Sequence, residues 1–155
     1  MTEPQVTEPQ VTEPTRPRVV LAMTPATRER LLTTGTTERL AAVADVDTSE
    51  LITDFRAQRT ARAEVLLTGW GAPRVDVAAL ELMPELVAIV HAAGSVKPVV
   101  APEVFARGIA VSSAADANAI PVAEFTFAAI IFAAKRVTRL AAQYRAGRRD
   151  TWGTT

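Results

Sequence analysis

EVLLTGWGAPRVDVAALELMPELVAIVH, residues 64–91, contains a complete strand–loop–helix–strand unit, and its reading decides the fold. The short apolar runs Glu64–Thr68 and Leu86–His91 have the length and aliphatic content of strands covered on both faces. Gly69 ends the first run, WGAPR makes a loop, and a helix is expected from about Asp76 to Met83. Two strands joined through a helix lie parallel, because a hairpin turn is too short to hold one.

The same alternation extends in both directions. Toward the amino terminus, Val19–Met23 (VVLAM) reads as a first strand. Thr24 and Pro25 then suit the cap and first position of a helix running to about Thr33 and ended by Gly35. Leu40–Val46 (LAAVADV) is a second, weaker strand candidate, and Thr48-Ser49 suggests a cap for a helix through about Arg62. Toward the carboxyl terminus, a helix opens near Pro102 and ends at Gly108, and Ile109–Ser112 makes a fifth strand. Right-handed crossovers turn this pattern into an open α/β domain, a five-stranded parallel sheet of flavodoxin-like order 2-1-3-4-5. Ligands then belong at the carboxyl ends of the strands, which carry Met23-Thr24, Gly69-Trp70-Gly71, His91 to Ser95 and Ser113.

The run AIPVAEFTFAAIIFAA, residues 119–134, is apolar around its whole circumference apart from Pro121, Glu124 and Thr126. A helix of that kind needs cover on every side. It is shorter than the roughly 20 apolar residues of a membrane span, carries Glu124, and ends in Lys135 and Arg136. The expectation is a helix sandwiched inside protein, with no membrane partner. Domain boundaries follow: a tail over 1–17, a domain over 18–116, a long helix over 117–147, and a linker over 148–155. The tail repeats TEPQV with almost no apolar content, the composition of a disordered segment.

Composition removes several classes of function. Seventeen basic and seventeen acidic residues cancel, so no global field favours nucleic acid or an anionic surface. The arginines that gather at the end, from Arg136 to Arg149, have Tyr144 alone among them and lack the regularly interleaved aromatics of a nucleic-acid groove. The chain has no cysteine, which excludes disulfides and thiol chemistry and fits a reducing, cytoplasmic setting. No apolar segment of a secretory signal stands at the start.

Among motifs, Gly69-Trp70-Gly71-Ala72-Pro73-Arg74 has arginine in place of the third glycine of a dinucleotide loop. Lys97 and Lys135 are the only lysines, and neither follows a glycine-rich phosphate loop. A receiver domain needs acidic residues at the ends of the first and third strands, where this chain has Met23-Thr24 and Gly69-Trp70. A flavin carrier needs a richer hydroxyl loop than Thr24-Pro25-Ala26-Thr27. No metal set is implied. His91, the single histidine, stands at a strand end, either as a catalytic base or as a buried ring satisfied by backbone. Gly94-Ser95 is either a plain turn or a pair of backbone donors for a carboxylate.

Two segments, LVAIVHAAGSVKPVV (86–100) and SSAADANAIPVAEFTFAAIIFAAKR (112–136), resemble the D-isomer-specific 2-hydroxyacid dehydrogenases, the family of glyoxylate/hydroxypyruvate reductases and phosphoglycerate dehydrogenases. In that family an Asn-x-x-x-Val-Ala-Glu segment, here Asn118, Val122, Ala123 and Glu124, opens a long helix between two domains. Lys97 stands where the family often has aspartate. The resemblance implies reversible reduction of a small 2-keto acid with NAD or NADP as cofactor. It implies that Ala93, Gly94 and Ser95 offer backbone donors to the substrate carboxylate. Trp70 and Gly71 are expected, from the topology, to wall the cleft. The helix 119–134 would meet a nucleotide-binding domain that brings the cofactor site and the catalytic Arg, Glu and His, with Trp152-Gly153 in the linker. This chain alone is then expected to be inactive, with no cofactor site and no catalytic residue of its own. The alternative is a non-catalytic α/β module that binds a partner or itself through the same helix.

Overall fold

The computed structural model describes residues 16–56 and 58–147; the expected linker and nearly all of the expected tail lie outside them. Its elements in chain order are β1 (Arg18–Ala22), α1 (Pro25–Leu31), α2 (Thr34–Val43), β2 (Asp45–Val46), a 3-10 turn (Gln58–Arg62), β3 (Val65–Thr68), α3 (Val77–Glu81), β4 (Ala88–His91), α4 (Pro102–Ala106), β5 (Ala110–Ser113), α5 (Ala115–Ala134) and α6 (Val137–Arg145). All five strands are parallel and lie in the order β2-β1-β3-β4-β5, as the alternation of strand and helix requires. Arg16 and Pro17 are tied in, through Arg16 Nη1 to the Ala41 carbonyl and the Pro17 carbonyl to Asp45 N–H.

Register assigns each strand residue to a face. Val20, Leu66, Ile89 and Val111 stand in one row. This face packs against Leu80 of α3 and Val104 of α4, together with Ile52 and Phe55, and it forms the larger core. Val19 and Leu21, with Val65 and Leu67, point to the opposite face, where Leu32, Leu40 and Ala44 cover them. The split follows from handedness. The crossover from β1 to β2 runs one way along the sheet and those from β3 to β5 run the other, so right-handed connections put their helices on opposite faces.

Thr24 caps a helix as expected, and Asp76, at the expected start of another, caps it as well. Thr24 Oγ1 accepts from Thr27 N–H with Pro25 at the first helical position, and Asp76 accepts from Ala79 N–H. Such caps contribute about 1 kcal/mol each. Gly108 closes α4 with a positive φ of 73°, which glycine adopts without Cβ strain.

Three expectations fail for physical reasons. Gly35 does not end the first helix, because α1 stops at Leu31 and Thr33 caps a new helix that contains Gly35 near its start. The run Leu40–Val46 is mostly the end of α2, and β2 keeps only Asp45–Val46; its alanines favour the helix once Thr33 has started it. The helix expected from Thr48-Ser49 to Arg62 is absent apart from the 3-10 turn. Asp47 accepts from both Ser49 N–H and Ser49 Oγ, and Asp54 accepts from Arg56 N–H; such local turns compete with helix formation.

The long helix over 117–147 is two helices. Arg136, at φ 52° and ψ 36°, breaks it, and α6 starts from there. In α5 no residue is buried; Phe125, Phe127, Ile130 and Phe132 all face solvent. Thr126 Oγ1 donates to the Val122 carbonyl one turn back, so its hydroxyl needs no outside partner. At 20 residues α5 is long and apolar enough to cross a membrane by length and composition.

Candidate functional site

The sheet's carboxyl edge gathers the expected site residues. Ala22, Thr68, His91 and Ser113 stand side by side in register. Two residues beyond Thr68 and His91, on neighbouring strands, come Trp70 and Ala93. Adjacent parallel strands are about 4.8 Å apart, so the Trp70-Gly71 loop and the Ala93-Gly94-Ser95 loop stand next to each other over the edge.

Each loop is held from a different side. Thr24 N–H and Thr27 Oγ1 both donate to the Trp70 carbonyl, at 3.1 and 3.0 Å, so α1 braces the first loop. Gly71 sits at φ 80°, and a Cβ there would come within 2.2 Å of Thr24 Cγ2. Trp70 is half exposed. Arg74 Nη1 donates to the carbonyls of Lys97 and Pro98, at 3.3 and 3.4 Å, while Val75 N–H donates to the Val99 carbonyl. The two loops are therefore stitched together at their far ends.

The second loop rests on the start of α5. Ala114 N–H is shared between the carbonyls of His91 and Ala93, at 3.0 and 3.1 Å. Asn118 lies so close to Gly94 that an added Cβ would meet its Nδ2 at 2.9 Å. Ala93 is buried, Gly94 half-buried and Ser95 exposed. Among the described residues, the N–H groups of Ala93, Gly94 and Ser95 donate to no protein acceptor. Chemically the loop offers uncommitted backbone donors at a strand end, next to the loop that carries Trp70 and tied to the Arg74 guanidinium through the Lys97 and Pro98 carbonyls.

His91 lies beneath this loop. Its ring is 3% exposed, and Nδ1 is 2.8 Å from Thr68 Oγ1. Burial pushes its pKa below the usual 6.5, because desolvation disfavours the charged ring. A hydrogen bond with the Ser95 backbone offsets part of that shift; since it favours the protonated ring, it runs from a ring N–H to the carbonyl. The folded state thus prefers neutral His91, whereas the unfolded chain takes up its proton near pH 6.5. Stability is therefore full above that pH and declines as pH falls through 6.5 toward the lower folded value, by at most about 1.4 kcal/mol per unit. Urea unfolding at pH 7.5 and 5.5 should show this decline, and His91→Gln should remove it; as the chain's single histidine, no other imidazole contributes.

The Gly69-Trp70-Gly71 turn packs tightly on Thr24. The space that a Cβ on Gly71 would take is held by the Thr24 side chain. The hydroxyls of Thr24 and Thr27, the Arg74 tie and the Asn118 contact are site-building features that spacing alone did not reveal. Asn118 was visible in the Asn-x-x-x-Val-Ala-Glu segment, but without its role as a packing partner for Gly94.

The fold defines an open α/β domain of flavodoxin-like strand order, with the Trp70-Gly71 and Ala93–Ser95 loops at its carboxyl edge. The chain matches no known family model, and no curated protein is significantly similar to it.

Proposed function

We propose that this chain is the substrate-binding portion of an NAD(P)-dependent oxidoreductase acting on small 2-keto and 2-hydroxy acids. The observation that carries this is the set of uncommitted N–H groups at Ala93, Gly94 and Ser95, over the carboxyl end of β4 and beside Trp70. A carboxylate seated there accepts from the backbone donors, with Arg74 and Lys97 supplying a favourable field. Trp70 and Gly71 limit the size of the group attached to the keto carbon. The resemblance of residues 86–100 and 112–136 to the 2-hydroxyacid dehydrogenases supports the choice of substrate class. The Asn118 contact with Gly94 is in keeping with it, since it joins the two resembling segments in space.

In this proposal NADH or NADPH, which supplies the hydride, and the groups that polarise the keto oxygen and deliver the proton belong to a nucleotide-binding domain outside this chain. That domain packs on α5, in a cytoplasmic enzyme. The 155-residue chain holds and orients the acid but does not reduce it.

Quenching of Trp70 fluorescence, read in a chain carrying Trp152→Phe, tests the proposal. Glyoxylate and hydroxypyruvate should quench saturably, and Gly94→Val should weaken both by tenfold or more, because its side chain enters the space held by Asn118 and the ligand. NADH should neither bind to the chain nor be oxidised by it. Equal quenching by the variant, or turnover by the chain alone, would contradict the assignment.

A further inference from the structure

The face of the sheet that packs on α3 and α4 changes character at its carboxyl end. The row Val20, Leu66, Ile89 and Val111 is aliphatic throughout, whereas the next row on the same face is Ala22, Thr68, His91 and Ser113. Thr68 is fully buried and His91 nearly so. An aliphatic pair would fill this place without losing hydration, and a buried polar pair is tolerated only where each group finds a partner. Here each does. Nδ1 of His91 is 2.8 Å from Thr68 Oγ1, and the ring also bonds the Ser95 backbone. Among the described residues no buried side-chain nitrogen or oxygen lacks a hydrogen-bond partner.

This chain of bonds connects the two loops of the site. Thr68 is the last residue of β3 and leads into Gly69-Trp70-Gly71, and His91 is the last residue of β4 and leads into Ala92 to Ser95. The hydroxyl and the ring therefore join the roots of both loops, and the ring reaches on to Ser95 within its own loop. Gly94 imposes little on its own backbone, and the N–H groups of Ala93, Gly94 and Ser95 have no protein acceptor to fix their direction. A Ser95 peptide free to turn would bring its carbonyl oxygen, the negative end of its dipole, toward the place an anion takes. Pinned to the ring, that oxygen stays beneath the loop.

We infer that His91 is a positioning residue for this loop: with Nδ1 accepting from the Thr68 hydroxyl and the ring proton on Nε2, it holds the Ser95 carbonyl down and leaves the Ala93–Ser95 donors set for a carboxylate. A neutral imidazole has one N–H, and the partner of one nitrogen decides which form is present. The inference rests on the proposed function for the identity of the anion; the anchor itself is independent of it. His91 acts through Ser95 and touches no substrate. Fixing a loop in its binding geometry beforehand raises affinity by lowering the cost of ordering it.

Three substitutions separate the anchor from the general effect of altering a buried residue. His91→Gln places an amide N–H near the position of Nε2 and gives up the bond to Thr68. His91→Asn keeps a polar group near Nδ1 and gives up Ser95, and His91→Phe gives up both. A purely structural role predicts comparable losses for His91→Gln and His91→Asn, whereas the anchor predicts a split. Titration of the ¹⁵N-labelled 155-residue chain with glyoxylate should give a dissociation constant within about threefold of the parent's for His91→Gln, and weaker by about tenfold or more for His91→Asn and His91→Phe. Without ligand, long-range ¹H–¹⁵N spectra of the imidazole at pH 7.5 should show the proton on Nε2. The Gly94 and Ser95 amides should broaden by microsecond-to-millisecond exchange in His91→Asn and His91→Phe but not in His91→Gln. The ring proton is read in the unaltered chain, so that result stands even where a variant does not fold. A ring protonated at Nδ1, or equal behaviour of His91→Gln and His91→Asn, would overturn the inference. If the parent chain takes up no glyoxylate, the proposed function falls, and the ligand-free spectra still decide whether His91 anchors the loop.

Discussion

Gly71→Ala is expected to destabilise the domain by about 2–4 kcal/mol, although it adds a single methyl group to a loop. Two costs combine. At φ 80° a residue with a Cβ suffers left-handed strain of roughly 1–2 kcal/mol. The Cβ would also stand 2.2 Å from Thr24 Cγ2, and overpacking of this kind costs about 1–3 kcal/mol. Thr24 has little room to yield, since its hydroxyl caps α1 and its N–H holds the Trp70 carbonyl. In a domain of this size the loss corresponds to a melting temperature lower by about 10 °C. A double-mutant cycle separates the two costs. Thr24→Ser keeps the capping hydroxyl and removes the obstructing methyl, so it should recover about 1–2 kcal/mol in the Gly71→Ala background. Gly108→Ala, at a similar φ of 73° but with open space around it, should show the backbone strain alone. Equal losses at Gly71 and Gly108 would mean that the Thr24 contact has no energetic weight.

Ile89→Ala should have the other large effect, about 3–4 kcal/mol, the usual range for truncating a fully buried aliphatic side chain. Ile89 is fully buried in β4, paired with Leu66 and Val111, within the core built by α3 and α4. The neighbouring Val90→Ala is expected to cost under about 1 kcal/mol, because Val90 points to the other face of the sheet and is 40% exposed. Chemical denaturation of the two variants under dilute conditions compares the faces one residue apart. Comparable losses would show that something covers Val90. Ile89→Ala should also lower the apparent affinity for glyoxylate, because β4 carries the Ala93–Ser95 loop.

The order of the strands was readable because each apolar run, Val19–Met23, Glu64–Thr68, Leu86–His91 and Ile109–Ser112, is short and separated by a helix-length segment. Handedness then leaves few arrangements. Thr24-Pro25 and the start of a helix at Asp76 were readable because capping chemistry is local. The stretch between residues 35 and 62 was misjudged where local signals compete: Gly35 tolerates the start of a helix as well as the end of one, and Asp47 and Asp54 capture nearby N–H groups before a helix can form. Pattern gave no warning of the break at Arg136, whose left-handed backbone starts α6 with no side-chain cap hydrogen bond among the described residues. The placement of Trp70 beside Ala93 follows from strand order. The bracing of that loop by Thr24 and Thr27 depends on contacts 43 or more residues apart and leaves no trace in spacing. The exposure of Val90 likewise emerges only when register assigns it to the side away from α3 and α4.

Amide-resolved NMR of the ¹⁵N-labelled 155-residue chain, titrated with glyoxylate, tests the central proposal most directly. If the loop after β4 receives a 2-keto acid carboxylate, the Ala93, Gly94 and Ser95 amides should shift downfield and saturate together, with the Trp70 indole following, and NADH should move none of them. Shifts scattered over Arg74, Lys97 and distant surface arginines without saturation, or no shift at Gly94 and Ser95, would contradict it.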